Sequence, residues 1–472
     1  LLNTAYELFT TKGVNKTSIA EISKAAGIAK GTFYLYFKDK YDIRNKLISH
    51  ESSKLFGKAK TALDEYQIQT KKVDFIDQII FIVDYIINEL SQNQSLLAFI
   101  SKNLSWGIFK QALTKNVAPE DVNFQDVFYK MIDELGRELF HAKYTDARTL
   151  TGMNAANMLA SALMQRGDNI MILGKEYGGH ASMKPTFERL GVNVYDAPYN
   201  LDSYDFDYNE LNKQIKEKNI KFLNIAPSDL VFPHDFSKID DSNCVILFDY
   251  SQLLGLIGAG LLENPLDKLK NCILYGGTHK TMPGPAHGII MTNNDELYAK
   301  IDKDINPKYL RNIQTHQVVS LLFAMIEMKY FGKEYQSNTV KIGNILGQEL
   351  QNRGFDVVHR GDVFTQTHQI FIEMPNENMT TLFNNAVKEG VTLNTKKKPL
   401  FHGGFGIRLG LQEISRYKWN DKALSTIADI LSEISKTEYD SAYVQNLIQT
   451  LPEKTIYYTF EPYDWKKLYI QA

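Results

Sequence analysis

The apolar pattern of the chain changes its period once, near Glu138, and that change limits what the chain can fold into. Before it, apolar residues recur at helical spacing, as in Phe75, Ile76, Ile79, Ile80, Ile82, Val83, Ile86 and Ile87, and again in Val127, Phe128, Met131, Ile132 and Leu135. Pro119 falls between such segments. After it, short strand-like runs alternate with helical stretches: 169–173, 192–195, 222–225 and 244–248. The first texture predicts an all-α bundle. The second predicts βαβ units and an α/β domain. A helix over 317–331 then leads into a smaller α+β region ending near residue 440. At 472 residues the chain is too long for a single core, so several domains are expected.

Composition excludes some classes of partner. With a formal net charge of −2 and 23% charged residues, a chain-wide polyanion surface is ruled out, so any nucleic-acid contact must be local. The apolar run from Phe75 to Leu90 carries Asp77, Asp84 and Glu89 and reads as an amphipathic helix, short of the ~20 apolar residues that span a bilayer. Cys244 and Cys272 lie in apolar runs and read as buried thiols of a reducing compartment, which predicts a cytoplasmic protein with no membrane partner and no signal peptide. No metal site is expected.

The first fifty residues concentrate positive charge. Lys12, Lys16, Lys24, Lys30, Lys38, Lys40, Arg44 and Lys46 stand against Glu7, Glu21, Asp39 and Asp42. Thr17 and Ser18 precede the helical stripe Ile19, Ile22, Ala26; Gly27 ends it, and Lys30 opens a short second helix. Two short helices across a glycine turn make a helix-turn-helix, whose second helix reads the major groove. The run from Ala29 to Lys40 resembles the recognition helix of TetR-type repressors. The resemblance implies a double-stranded DNA operator as partner. Thr17 would cap a helix against a phosphate, Lys30, Thr32 and Leu35 would face base edges, and Tyr34, Tyr36 and Lys40 would grip the backbone. Phe33 and Phe37 read as core.

A second constellation carries chemistry. The strand Cys244 to Phe248 delivers Asp249, and some thirty residues later a Gly-rich stretch holds Thr278, His279 and Lys280. Pyridoxal 5′-phosphate needs such groups: a lysine to bond its aldehyde, an acid to keep its ring nitrogen protonated, and hydroxyl and N–H groups for its phosphate. The shared runs Leu139 to Arg148, Thr151 to Asn157, Tyr177 to His180, Asp249 to Gly260, Thr278 to Thr281 and Gly406 to Gly410 resemble the serine hydroxymethyltransferase family of fold-type-I enzymes, over Glu138 to about Ile434. That resemblance implies that Lys280 bonds the cofactor, His180 stacks on its ring and Asp249 pairs with its nitrogen. Ser228 and Gln252 would lie near the phenolic oxygen. Thr151, Gly152 and Met153 would hold the phosphate at a helix N-terminus, assisted by Thr278 and His279. Arg408 would take the substrate carboxylate in a bidentate fork.

The pattern departs from the family in places. Gln252 replaces the usual His; Ala181 and Lys175 replace leucines that line a folate site, so tetrahydrofolate is disfavoured; and Asn312, Ile313, Gln314, Thr315, His316 and Gln317 replace a Gly-Gly-Pro turn, as in a branch that includes transaldolase-like members. No residue before Glu138 matches the family's amino-terminal arm, which suggests a fusion of two interrupted genes and an impaired enzyme. The expected organisation is therefore a TetR-type helix-turn-helix domain over 1–50, a truncated helical bundle over 51–137, a cofactor-binding major domain over 138–330, and a small C-terminal domain and tail over 331–472. The expected function is a hydroxymethyltransferase- or aldolase-like enzyme of one-carbon and amino-acid metabolism, acting on a β-hydroxy-α-amino acid of the serine, glycine or threonine class. The alternative is a transcription regulator that uses the same fold as an amino-acid or cofactor sensor. A homodimer is expected in either case.

Overall fold

The computed structural model describes residues 1–14, 16–70, 75–92, 124–310 and 314–460. Pro119 and the pair Asn312–Ile313 lie outside the described residues. The chain divides into two compact units, Leu1–Val127 and Phe128–Thr459.

In the first unit, helices α1 (Leu2–Thr11), α2 (Ile19–Ala25) and α3 (Lys30–Tyr36) pack with the start of α4 (Lys40–Thr70) around one apolar cluster. Ile22, Phe33, Phe37 and Ile43 fill it, so the two phenylalanines of the second short helix are core, as expected. The turn between α2 and α3 needs Gly27, whose φ of +68° suits a residue without Cβ. Helix α5 (Phe75–Gln92) packs on α4 through Leu55, Phe56, Ala59, Ile86 and Leu90.

Helix α6 (Phe124–Phe140) buries Phe128, Met131, Ile132 and Leu135, the stripe its sequence spacing predicts. It leads into a seven-stranded sheet. The strands are β1 (Tyr144–Asp146), β2 (Asn169–Ile172), β3 (Asn193–Asp196), β4 (Phe222–Ile225), β5 (Val245–Asp249), β6 (Cys272–Gly277) and β7 (Gly288–Thr292), in the order β1-β7-β6-β5-β4-β2-β3. The run from β3 to β6 across the sheet is parallel, while β7 is antiparallel to both β6 and β1. Strands β4 and β6 are buried at every residue, which is what a parallel strand covered on both faces requires. Helix α7 (Gly152–Leu163) packs against this sheet.

Two local features differ from the sequence reading. Tyr275, Gly276 and Gly277 are the end of strand β6 rather than part of a loop, and the helix expected over 317–331 runs on as α8 (Thr315–Asn352). Its glycines do not break it because neighbours fill the space a Cβ would take. A Cβ on Gly343 would lie 2.7 Å from Thr365 Cγ2, and one on Gly347 2.5 Å from Phe364 Cγ. Helix α8 reaches a four-stranded antiparallel sheet of β8 (Asp356–Val357), β9 (Gln369–Glu373), β10 (Asn394–Lys397) and β11 (Phe405–Gly410), ordered β8-β9-β11-β10. A second apolar core lies between that sheet and its helices. Among the described residues, no helix is long and apolar enough to cross a membrane.

Candidate functional site

Parallel strands end at a common edge, and ligands of α/β sheets collect in the crevice beyond it. Here that edge gathers residues from three strand ends. Asp249 closes β5, Ser228 follows β4, and Lys280 follows β6. His180 lies in the loop after β2, pinned by its amide to the Ala226 carbonyl at 2.8 Å.

Asp249 is buried, and only one of its oxygens is engaged. Oδ1 accepts from the Ser251 amide at 2.9 Å and from the Ser251 hydroxyl; Oδ2 has no partner among the described residues. The Ser251 Oγ also accepts from the Gly277 amide at 2.7 Å, which fixes the acid against the end of β6. Beside it, a Cβ on Gly276 would lie 2.9 Å from Asp249 Oδ1, and one on Gly152 would lie 2.7 Å from the Gly277 amide. The two glycines thus let the N-terminus of α7 and the Asp249–Ser251 pair approach the end of β6 closely. At that N-terminus Thr151 is the cap, its hydroxyl accepting from the Asn154 amide at 3.0 Å, and Gly152 and Met153 begin the helix.

Lys280 is largely shielded, yet its Nζ makes no hydrogen bond or ion pair among the described residues. Burial lowers its pKa below the ordinary lysine value, Asp249 opposes that shift, and the Arg408 charge adds to it. His180 is also held below the ordinary imidazole value, first by burial. Its Nδ1 accepts from the Ser182 amide at 3.3 Å, so the neutral ring carries its proton on Nε2.

The other expected residues fall in three groups. Gln252 is buried and its Oε1 accepts from Gln369 Nε2 at 3.2 Å. The same Gln369 donates to the Ser228 carbonyl at 3.0 Å and accepts from the Leu230 amide at 2.9 Å. Ser228 therefore enters the network through its backbone carbonyl. Arg408 donates from Nη1 to that carbonyl and to Asp229 Oδ1, both at 2.7 Å, while its Nε and Nη2 make no bond among the described residues. Thr278 departs from the expected phosphate contact: it is fully buried and its hydroxyl donates to the Pro285 carbonyl at 2.8 Å, closing its own loop. His279 is exposed beside it, its pKa lowered by burial and then by Lys280.

Five residues escaped the sequence reading: Ser251, Gln369, Asp229 and the two lysines on β10 and just after it, Lys396 and Lys398. Ser251 had a signal, since a hydroxyl two residues after a strand-end acid can bond it. The rest lie far from their partners in sequence and have none.

The helix-turn-helix is built differently. Ser18, and not Thr17, is the N-cap of α2. Its hydroxyl accepts from the Glu21 amide at 3.2 Å while Glu21 accepts from the Ser18 amide at 2.8 Å, a reciprocal capping box that holds Glu21 down at about 2. Thr17 is buried, and its hydroxyl donates to the Gly13 carbonyl at 2.9 Å, so it faces no phosphate. Helix α3 displays Lys30, Tyr34, Leu35 and Tyr36; Leu35 is 80% exposed, which a leucine on a folded helix seldom is without a partner to meet. Thr32 is half-buried. Lys40 donates to the Thr17 carbonyl at 3.2 Å and ties α4 to the entry of α2.

These features fit pyridoxal phosphate: a shielded amine and a strand-end carboxylate oxygen, each without a partner among the described residues, and a helix N-terminus brought close to that strand end by glycines. Comparison with known proteins agrees. The family model "Serine hydroxymethyltransferase" matches residues 121–431, and that of "Bacterial regulatory proteins, tetR family" matches residues 1–47. The serine hydroxymethyltransferase of Sulfolobus acidocaldarius is 28% identical over 74% of this chain and 83% of its own length. That of Methanocella arvoryzae is 29% identical over 66% and 76%. Among solved structures, L-threonine transaldolase from Pseudomonas fluorescens, in its internal aldimine state, superposes with a TM-score of 0.66 at 23% identity over 72% of this chain and 79% of its own. With a family model that spans most of its length, the chain belongs to the serine hydroxymethyltransferase family of pyridoxal-phosphate enzymes and carries a TetR-type helix-turn-helix domain at its amino terminus.

Proposed function

We propose that the α/β unit catalyses an aldol-type cleavage or transfer on a β-hydroxy-α-amino acid of the serine or threonine class, and that residues 1–50 bind a DNA operator. The observation that carries the first part is Lys280: a shielded amine with no partner among the described residues and a lowered pKa, lying in the fields of Asp249 and Arg408. Lys280 would hold the cofactor covalently. Asp249 Oδ2 would accept from its ring nitrogen, and the neutral His180 ring would face it. The α7 N-terminus at Thr151, Gly152 and Met153 would take its phosphate, with His279 alongside. Bound there, the cofactor supplies an electron sink for a bond broken at the substrate's α-carbon.

The chain's own groups do the rest. Arg408 presents Nε and Nη2 as a planar fork for the substrate carboxylate, and its Nη1 bonds to Ser228 and Asp229 fix that fork in place. Burial leaves Lys280 neutral at a lower pH than a free lysine, which favours its Nζ as a proton acceptor. Gln252, held by Gln369, keeps the Ser228 side of the site polar without adding a charge. On the DNA-binding part, Lys30, Tyr34, Leu35 and Tyr36 are the exposed face of α3, and Lys40 joins them from α4. A homodimer in the cytoplasm completes the reading; the unpaired buried thiols Cys244 and Cys272 suit a reducing compartment.

The test is the visible absorption spectrum of the full chain with added cofactor, beside Lys280→Ala. A band absent from the variant, which shifts on adding glycine or serine, is expected. Threonine, allothreonine or serine should then yield an aldehyde and glycine. A band without turnover on any of the three would favour the sensor reading over the enzyme.

A further inference from the structure

The β-strand register of the small sheet places Arg408 opposite Asn394, and Gly406 opposite Lys396. Residues two apart on a strand share a face, so Lys396 and Arg408 project from the same side of the sheet. Both reach Asp229, in the loop after β4. Lys396 Nζ lies 2.9 Å from Oδ1, which also takes Arg408, and Lys398 Nζ lies 2.6 Å from Oδ2. The Asp229 side chain is fully buried, and the three cations are only 15%, 16% and 20% exposed.

One carboxylate thus holds three shielded cations. Burying like charges together is costly unless anions balance them, and Asp229 balances one. Lys396 shows the strain: its pKa is lowered first by burial, with Arg408 and Lys398 adding to the shift against the pull of Asp229. Glu373 shares the sheet face, but its carboxylate accepts from the Tyr204 hydroxyl at 3.1 Å and the His402 amide at 2.6 Å. Donor capacity is unfilled as well. Among the described residues each ammonium makes a single bond, to Asp229, and half of the Arg408 fork has no partner. The network borders the site, since His180 feels the charge of Lys398 and Lys280 feels that of both Arg408 and Asp229.

On the reading that Arg408 takes an α-carboxylate and the α7 N-terminus takes the cofactor phosphate, both of those anions are accounted for and Lys396 and Lys398 remain. We infer that Lys396 and Lys398 form a second anion subsite, and that the substrate carries a further carboxylate or phosphate beyond its α-carboxylate. Asp229 is its positioning residue. It holds three mutually repelling cations at fixed places and shares its own charge among them, so that none is neutralised outright.

The experiment is calorimetric binding to the cofactor-loaded full chain, read as two ratios: L-threonine against β-hydroxy-L-aspartate, and L-serine against O-phospho-L-serine. The pair separates a carboxylate-bearing from a phosphate-bearing substrate. At least one charged analogue should bind about tenfold tighter than its neutral counterpart. In Lys396→Gln/Lys398→Gln that ratio should fall to about one or below. Each ratio is taken within one protein, so general damage lowers both affinities and leaves the ratio standing. Ratios at or below one in the parent chain, or a preference that survives in the variant, overturn the subsite. If threonine, serine and glycine all fail to bind the loaded protein, the reading of the site itself falls, and the subsite with it.

Discussion

The helix-turn-helix and the lysine site place their functional residues in opposite ways. On α3 they are exposed neighbours: Lys30, Tyr34, Leu35 and Tyr36 all lie on one two-turn helix, held up by Ile22, Phe33 and Phe37 beneath. In the α/β unit they are shielded and come from far apart. Arg408 bonds Ser228 from 180 residues away, and Gln369 reaches Gln252 across 117. An exposed site can be altered with little cost to its fold, and its motif is local. A buried site is a network in which each charged group depends on another's position. The two regions should therefore answer differently to mutation, acid and salt.

The largest expected effect is at Asp249. Asp249→Asn removes the charge that would keep the cofactor's ring nitrogen protonated but keeps an oxygen for Ser251. Turnover of threonine or serine should fall about 10³-fold, or about 4 kcal/mol of barrier, while the DNA-binding unit should be untouched. Steady-state kinetics on the cofactor-saturated variant decides it; a loss under tenfold would remove Asp249 from that role.

Acid should separate the two units. His234 and His368 are fully buried in the α/β unit, and burial pushes their pKa values down to about 4 and about 3. The unfolded chain takes up protons near the ordinary value of about 6.5, which the folded state refuses. Stability from these histidines is thus present above about pH 6.5 and is lost as pH falls toward their folded values, by about 2 kcal/mol for each at pH 5. The one histidine of the first unit, His50, is exposed. Calorimetry at pH 7 and pH 5 should show the α/β transition moving down while the helical one keeps its place. Equal shifts in both would break the contrast.

Much of this was legible in the sequence for the same physical reason. The helical period marked the stripe of α6, which buries one face, and short apolar runs marked the parallel strands, which are covered on both. Lys280, Asp249 and Arg408 could be located by motif, since each lies on a strand or just past its end, and His180 by the Gly-Gly-His run of its loop. Asp229, Lys396 and Lys398 could not. A lysine-rich run at 396–398 looks like a solvated surface, and only the pairing of β10 with β11 turns two of its members inward. The misplacement of the α2 cap has a local cause. Thr17 and Ser18 are equally good caps by type, and the choice is made by Glu21, three residues beyond Ser18, which completes a box only with the serine.

On the exposed helix, effects should be moderate and nearly independent of fold. Tyr34→Ala should weaken operator binding about tenfold with no change in the melting of the first unit. Lys30→Ala should lower affinity by a similar factor and relax the choice of base, with the dependence on salt nearly unchanged, because a side chain facing base edges is lost. Fluorescence anisotropy with a bound fragment at two salt concentrations reads both. A slope flattened by about one charge for Lys30→Ala would place that lysine on the DNA backbone instead of the base edges.

The smallest expected effect sharpens the comparison most, because it tests whether the exposed site depends on any network at all. Ser18→Ala deletes the hydroxyl that accepts from the Glu21 amide and frees the Glu21 carboxylate from its own bond to the Ser18 hydroxyl. The Glu21 amide at the start of α2 is then left to water, at about 1 kcal/mol. Helix α2 carries Ile22, a wholly buried contact of Phe33, so loosening it loosens the platform under α3. The helical transition should fall by several degrees and DNA affinity should fall with it, whereas the cofactor absorption band of the same protein should not move. A Ser18→Ala protein that keeps full DNA affinity would show that α3 is held by its apolar face alone; one that loses the absorption band would show that the two units are coupled.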